Sequence, residues 1–222
     1  MTWKKEVFQN FKLYAVTDIR TMSTPGQKKE ILSKVEAAYR GGADIVQLRA
    51  KGLSDYQLMD LGRSLKKIAE RWRKLFFLND RPDLAIALRA DGVHIGQEDF
   101  SIPAVRKLAR LASWDLFIGK STHSLQQAVE AEKEGADYIA VGPVFATPTK
   151  PDYPAVGLDL LKKVSHNSKI PFVAIGGINL LNLHAVLKTG ARRIAGVRSI
   201  FGAKNPYENT RKIKTEIQNS KI

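Results

Sequence analysis

The chain has 222 residues, 44% hydrophobic and 26% charged, the mix of a globular protein long enough to bury a sizeable core. This excludes overall disorder and collagen-like structure; no apolar run approaches a membrane span, and the lack of cysteine excludes a disulfide scaffold, thiolate zinc and a cysteine nucleophile. Lys and Arg number 36 against 22 Asp and Glu, a net charge of +14 that suits a nucleic acid, a phosphorylated small substrate or a lysine-rich surface.

The opening residues, Met1 to Glu6, have no apolar stretch behind them to act as a signal peptide, so the chain reads as cytoplasmic. A short helix is expected before the first strand. Short apolar runs then alternate with helical patterns. The strand candidates are Leu13–Thr17, Ile45–Arg49, Leu75–Asn79, Gly92–Ile95, Leu116–Gly119, Tyr138–Gly142, Phe172–Gly176 and Ile194–Val197. Thr24-Pro25 starts one helix, Pro82 and Pro103 open two more, and Asn205-Pro206 opens the last. Ser124 and Gln127 have capping-box spacing, with Gly135 past the helix end. Arg63 to Lys74 is the densest basic stretch, but Leu58, Leu61, Leu65, Ile68 and Trp72 form one apolar stripe through it. That reads as a buried helix face with cations on the wet side.

A weak repeat runs through the chain. Gly42-Ala43-Asp44-Ile45-Val46 recurs from Arg89, from Gly135 and from Gly190, at intervals of 47, 46 and 55 residues. Each copy leads into an even-numbered strand, so each interval holds two strand–helix units. Eight such units favour a single parallel eight-stranded (βα)8 TIM barrel over an open doubly wound sheet, as one α/β domain across residues 1–222.

Active sites of this fold sit at the C-terminal ends of the strands. Alternation puts Gln47, Arg49 and Lys51 on one side, and an inward Arg beside a Lys suits a phosphate; the ordinary alternative is an Arg paired with a structural carboxylate. Asp80 and Asp99 follow adjacent strands, where a helix cap and a turn are the bland readings. Together they make a magnesium site of few protein ligands plus phosphate oxygens. Gly119-Lys120-Ser121-Thr122 resembles the tail of a phosphate loop, but Trp114 stands where the first glycine belongs. Ser121 still offers a hydroxyl at a strand end, and His123 offers an acid or base, or a loop histidine. The long polar loop with Thr147, Pro148, Thr149 and Lys150 suits a second anion. Gly176-Gly177 and the Val197-Arg198 strand end complete that cluster, or are a plain tight turn.

These residues, in this order, resemble the thiamine phosphate synthase family. The resemblance rests on Leu13 to Asp18, Gln47 to Lys51, Asn79-Asp80-Arg81 and Asp91 to Asp99. It continues through Gly142 to Phe145, Thr147 to Lys150 and Ala174 to Ile178. It implies a cytoplasmic transferase that joins a hydroxymethylpyrimidine pyrophosphate to a thiazole phosphate, releasing pyrophosphate through a dissociative carbocation mechanism. The form of the thiazole, carboxylated or not, is left open.

By the same resemblance, Gln47, Leu48, Arg49, Ala50, Lys51, Asn79, Ser121 and Lys150 bind the pyrimidine pyrophosphate. Arg49, Lys51, Ser121 and Lys150 stabilise the leaving group. Asp80 and Asp99 hold Mg2+, and Thr147, Pro148, Thr149, Gly177, Val197 and Arg198 bind the thiazole phosphate. The partners are then phosphorylated small molecules, with no nucleic acid and no membrane; a homo-oligomer is left open. Arg198 departs from the best-known members, which have Ser there. A related thiazole tautomerase and a non-catalytic basic barrel binding nucleic acid are the alternatives. The first usually lacks the paired aspartates, and the second lacks an aromatic stacking platform in this sequence.

Overall fold

The computed structural model describes residues 2–149 and 153–220. Its strands are β1 (Leu13–Val16), β2 (Ile45–Leu48), β3 (Leu75–Asn79), β4 (Gly92–Ile95), β5 (Phe117–Thr122), β6 (Tyr138–Val141), β7 (Phe172–Ala174) and β8 (Ile194–Gly196). They form a closed parallel barrel in sequence order, with β8 returning to β1 through Ile194 opposite Leu13. Around it lie α1 (Trp3–Asn10), α2 (Pro25–Arg40), α3 (Asp55–Arg71), α4 (Pro82–Ala87) and α5 (Ile102–Leu111). The rest are α6 (Leu125–Lys133), α7 (Gly157–Asn167), α8 (Leu183–Leu187), α9 (Arg198–Phe201) and α10 (Pro206–Asn219). No helix among the described residues is long and apolar enough to cross a membrane.

The eight expected strands and the N-terminal helix are all present, most with ends moved by one or two residues. The larger change is at β5, which the sequence ends at Gly119 but which runs on to Thr122, in register with β6 through Ser121 opposite Ala140. Gly, Lys and Ser have weak strand preference, and only the neighbouring strand supplies the ladder that holds them extended. Lys120 therefore points out of the barrel and donates to the Gly96 carbonyl at 2.7 Å, while Ser121 points in.

Period-two alternation divides the strand residues between two cores. Leu13, Ala15, Val46, Leu48, Phe76, Leu78, Val93 and Ile95 face the helices. Tyr14, Val16, Ile45, Leu75, Phe77, Tyr138, Val173 and Ala195 fill the barrel itself. Helix α1 closes the base, where Phe8 stacks on Phe117 with ring centroids 3.9 Å apart and Phe11 is buried.

Helix α2 has the full Thr24–Gln27 capping box with Pro25 in its first turn. At α6 only half of the expected box forms. Ser124 accepts from Gln127 N, but the Gln127 side chain bonds the His123 N–H instead. On α3, Leu58, Leu61, Leu65 and Ile68 are buried as expected, but Trp72 is not part of that stripe. The helix stops at Arg71, and the Trp72 indole turns outward to donate to Glu36 at 3.2 Å.

The repeat has a structural reason at the base. Gly42, Arg89, Gly135 and Gly190 all have positive φ and end the helix preceding an even strand. The following aspartate reaches back to the odd strand before it. Asp44 accepts from Lys12 N and Leu13 N at 2.8 and 3.1 Å. Asp91 accepts from Phe76 N at 2.9 Å, and Asp137 accepts from Ile118 N at 2.7 Å. The fourth copy has Arg192 at this place. Burial pushes the Asp44 carboxyl up, but Lys214 of α10 and Lys74 together hold it below the usual value. One carboxylate thus ties two strands and the last helix together. Asp44→Ala should lower unfolding stability by about 3 kcal/mol, because it leaves two strand N–H groups and two partly buried cations without their acceptor. Asp44→Asn, which keeps an acceptor, should lose less than Asp44→Ala. Urea denaturation checks this, and equal losses in both variants would contradict it.

Candidate active site

The upper half of the barrel interior is polar. Gln47 of β2 donates from Nε2 to Tyr14 Oη of β1 at 2.8 Å, and Tyr14 Oη lies 2.9 Å from Tyr138 Oη of β6. Tyr138 Oη is 2.9 Å from His94 Nδ1 of β4, and His94 Nε2 is 2.9 Å from Ser121 Oγ of β5. Five side chains from five strands form one hydrogen-bonded series. Tyr138 reaches both β1 and β4 because Gly119 leaves room for it: a Cβ there would stand 2.0 Å from the Tyr138 ring. Burial is the largest effect on both phenols and pushes both pKa values up, so they remain protonated donors.

Tyr14, Gln47, His94 and Ser121 of this series line the floor of a cavity of about 440 Å3 at the C-terminal end of the barrel, with Tyr138 linking them from below. Gln47, Arg49, Asn79 and Ser121 line it, as alternation and strand-end position suggest. Arg49 is ion-paired with Asp18, so the carboxylate-partner alternative is realised; a guanidinium has five N–H donors, and one such pair leaves others for an anion. Leu48 and Ala50 do not line the cavity. Their side chains turn into the core between barrel and helices, because they occupy the outward positions of the strand and its extension. Lys51 is exposed beyond the strand, with Nζ 3.6 Å from Asp80 Oδ2.

Asp80 and Asp99 converge beside this cavity. Asp80 has φ of 61°, a conformation Asp tolerates better than most residues, and its N–H donates to the His94 carbonyl at 2.8 Å. Asp99 Oδ2 accepts from Gly96 N at 2.6 Å, which folds its loop back toward Asp80. Burial first, then the hydrogen bond and charge of Asp99, push the Asp80 carboxyl up to about 6 against the opposing pull of Lys51. Two carboxylates held together in this way want a cation that one lysine does not fully supply. Among the described residues no three His, Asp or Glu side chains form a metal cage.

Thr147, Pro148, Thr149, Gly177, Val197 and Arg198 line the other side of the cavity. Lys150 lies outside the described residues. The hydroxyl of Thr149 is buried without a hydrogen-bond partner among the described residues. Gly176 and Gly177 have φ of 101° and 67°, and a Cβ on either would strike the Pro143–Phe145 segment at 2.3 and 2.7 Å. Close packing of two loops therefore requires the glycine pair. Arg198 begins α9, exposed at the cavity edge. His123 also lines the cavity, with its ring 4.8 Å from that of Tyr153 and Nδ1 bonded to the Gly142 carbonyl.

The strand-end reading passed over Tyr14, His94 and Tyr138. The alternation that placed Gln47 would have found the first two, since Tyr14 and Val16 share a face, as do Gly92 and His94. Tyr138 opens its strand, where the base of the barrel is expected; only its length and the gap at Gly119 bring its hydroxyl up to the site.

Residues 13–200 match the family model described as thiamine monophosphate synthase. A thiamine-phosphate synthase of Thermus thermophilus is 43% identical over 208 residues, 93% of this chain and 97% of its own length. One from Pyrococcus furiosus is 40% identical over 207 residues, covering 93% and 95%. The solved structure of a thiamine phosphate pyrophosphorylase from Pyrococcus furiosus has a TM-score of 0.83 at 36% identity, covering 96% of this chain and 98% of that one.

The raised Asp80 carboxyl sets a sign for stability. The folded protein holds a proton that the unfolded chain releases nearer pH 4, so this group's contribution falls as pH rises from about 4 to about 6. Above that window the ionised Asp80 carboxylate costs the fold up to about 3 kcal/mol. Asp80→Asn should therefore be more stable than the parent at pH 8 and gain little at pH 4, as read by thermal melts. A variant equally affected at both pH values would show that the Asp80 carboxyl is not raised in the folded protein.

Proposed function

The chain belongs to the thiamine monophosphate synthase family, and on that premise we propose that its barrel mouth is where the two phosphorylated halves of thiamine phosphate are joined. The activity is that of a transferase of thiamine biosynthesis. The observation that carries the site assignment is the gathering, around one cavity, of Arg49 and Ser121 on one side and Thr147, Thr149, Gly177 and Arg198 on the other. The carboxylate pair stands beside the first group.

The first side takes the pyrimidine pyrophosphate. Asn79 and Gln47 present amides to the pyrimidine, and Arg49, Lys51 and Ser121 face the pyrophosphate, with Lys150 expected to join them. Leu48 and Ala50 have only backbone groups to offer. The strained Asp80–Asp99 pair fits a hard divalent cation that takes few protein ligands, so these two residues would hold Mg2+. When bound, Mg2+ supplies positive charge against the pyrophosphate oxygens. The second side takes the thiazole phosphate through the Thr147 and Thr149 hydroxyls, the backbone at Gly177 and Val197, and Arg198.

Bond breaking at the pyrimidine methylene puts positive charge on carbon and negative charge on the departing pyrophosphate. The thiazole nitrogen then closes the new C–N bond. No protein nucleophile or strong base is required. The chain's own task is to hold the two rings in line and to stabilise the leaving charge with fixed donors. Arg49 suits that task because its ion pair with Asp18 fixes the guanidinium before substrate arrives.

An assay with both phosphorylated substrates should form thiamine phosphate and pyrophosphate only when Mg2+ is present. In it Arg49→Ala should lose about 10²–10³ in kcat, the cost of removing one leaving-group contact. Product without added metal after chelation, or a change in KM alone, would refute this arrangement. Arg198→Ala should raise KM for the thiazole phosphate and leave that for the pyrimidine pyrophosphate nearly unchanged. Equal effects on both would remove Arg198 from the thiazole side.

A further inference from the structure

The buried hydrogen-bonded series under the cavity runs from the Gln47 amide to the Ser121 hydroxyl at the cavity wall. A phenol or serine hydroxyl has one proton to give, and a neutral imidazole has one donor and one acceptor nitrogen. Gln47 Nε2–H donates to Tyr14 Oη. The distances onward fit two polarities; in the one that continues from Gln47, Tyr14 gives its proton to Tyr138 Oη 2.9 Å away and Tyr138 gives its own to His94 Nδ1. With Nδ1 accepting, the imidazole proton sits on Nε2 and goes to Ser121 Oγ. In this polarity the serine already accepts one bond, which leaves its own proton to point into the cavity that Ser121 lines.

We infer that His94 is a positioning residue that acts through Ser121, holding the Nε2–H tautomer so that the serine hydroxyl donates to an oxygen of the pyrophosphate. The inference rests on the reading of Ser121 as a pyrophosphate contact. The opposite polarity has a cost that only an anion imposes. If Ser121 donated to His94 Nε2, the serine would show an anionic oxygen only its lone pairs. An anionic ligand therefore selects the polarity that begins at the Gln47 amide. Burial raises the pKa of both phenols, so the intermediate donors keep their protons at neutral pH. All five members lie on strands, and the ring of Tyr138 is wedged over Gly119. The heavy atoms of the donor are thus in place before substrate binds, and the anion needs to select only the order of the protons along them.

The decisive measurement is the nitrogen spectrum of the imidazoles in the 15N-labelled full chain, alone and with Mg2+ and inorganic pyrophosphate. His94 is assigned by its loss in His94→Gln. We expect a protonated Nε2 and an unprotonated, hydrogen-bonded Nδ1, with the pattern sharpened by pyrophosphate; a protonated Nδ1 overturns the inference. In the condensation assay His94→Leu should lower kcat about 10- to 100-fold with KM for the pyrimidine pyrophosphate changed less than about threefold. His94→Gln, whose amide can reach the serine, should recover part of that loss. In a Ser121→Ala background His94→Leu should add little; full additivity would show that His94 acts by another route and would overturn the inference. A Ser121→Ala protein with normal kcat removes the pyrophosphate contact on which the inference rests. Protonated Nδ1 together with a slow Ser121→Ala protein removes the positioning role alone. Should His94→Leu fail to fold, the spectrum of the unaltered chain decides.

Discussion

A parallel barrel closed by eight strands encloses a space that only side chains can fill, and every second residue of each strand must face it. That constraint divides the chain into an outer core under the helices and an inner core that changes character with height. At the base the space is filled by aromatic rings and sealed by α1. Higher up it holds Gln47, His94, Ser121 and two phenol hydroxyls. Buried polar groups are stable only when bonded, so these five have to satisfy one another, and the linked series follows. The cavity above inherits a floor whose donors are fixed in place. Gly119 belongs to the same constraint, because a larger residue there would displace the ring on which the middle of the series depends.

The two ends of the barrel spend their charges differently. At the base, Asp44, Asp91 and Asp137 tie even strands to odd ones through strand N–H groups, with Lys74, Lys214, Lys4 and Arg106 as counter-ions. Those carboxylates stabilise the fold. At the mouth, Asp80 and Asp99 stand close to each other with Lys51 as a weak, exposed counter-charge, and burial of Asp80 together with that proximity works against the fold above about pH 6. Stability is built at one end and surrendered at the other, the end at which active sites of this fold sit.

The net charge of +14 reads differently once distributed. On α3 the basic residues Arg63, Lys67 and Arg71 lie on the solvent face, opposite the buried leucines. In the cavity the charge that matters is smaller and more constrained. Arg49 is held by Asp18, and Arg198 stands at the rim. A positive surface raises the local concentration of anions, while the guanidinium groups among the described lining residues of the cavity are those of Arg49 and Arg198.

The sequence by itself determined the barrel, because two periodicities, the helix starts and a fourfold repeat at the helix ends before the even strands are local signals that all agree. It also placed Gln47, Arg49, Asn79 and Ser121 at the mouth, since strand-end position follows directly from strand assignment. What it could not determine was which inward side chains meet across the barrel. Tyr14 and Tyr138 are 124 residues apart in sequence, and their contact exists only after closure brings β1 and β6 to opposite walls of a space narrow enough for two rings to span. The extension of β5 through Ser121 is of the same kind, since its extended backbone is held by pairing with β6 against its own weak preference. The outward turn of Leu48 and Ala50 was settled by the barrel as well. A motif marks a segment as part of a site, but the pleat decides which of its side chains faces the ligand.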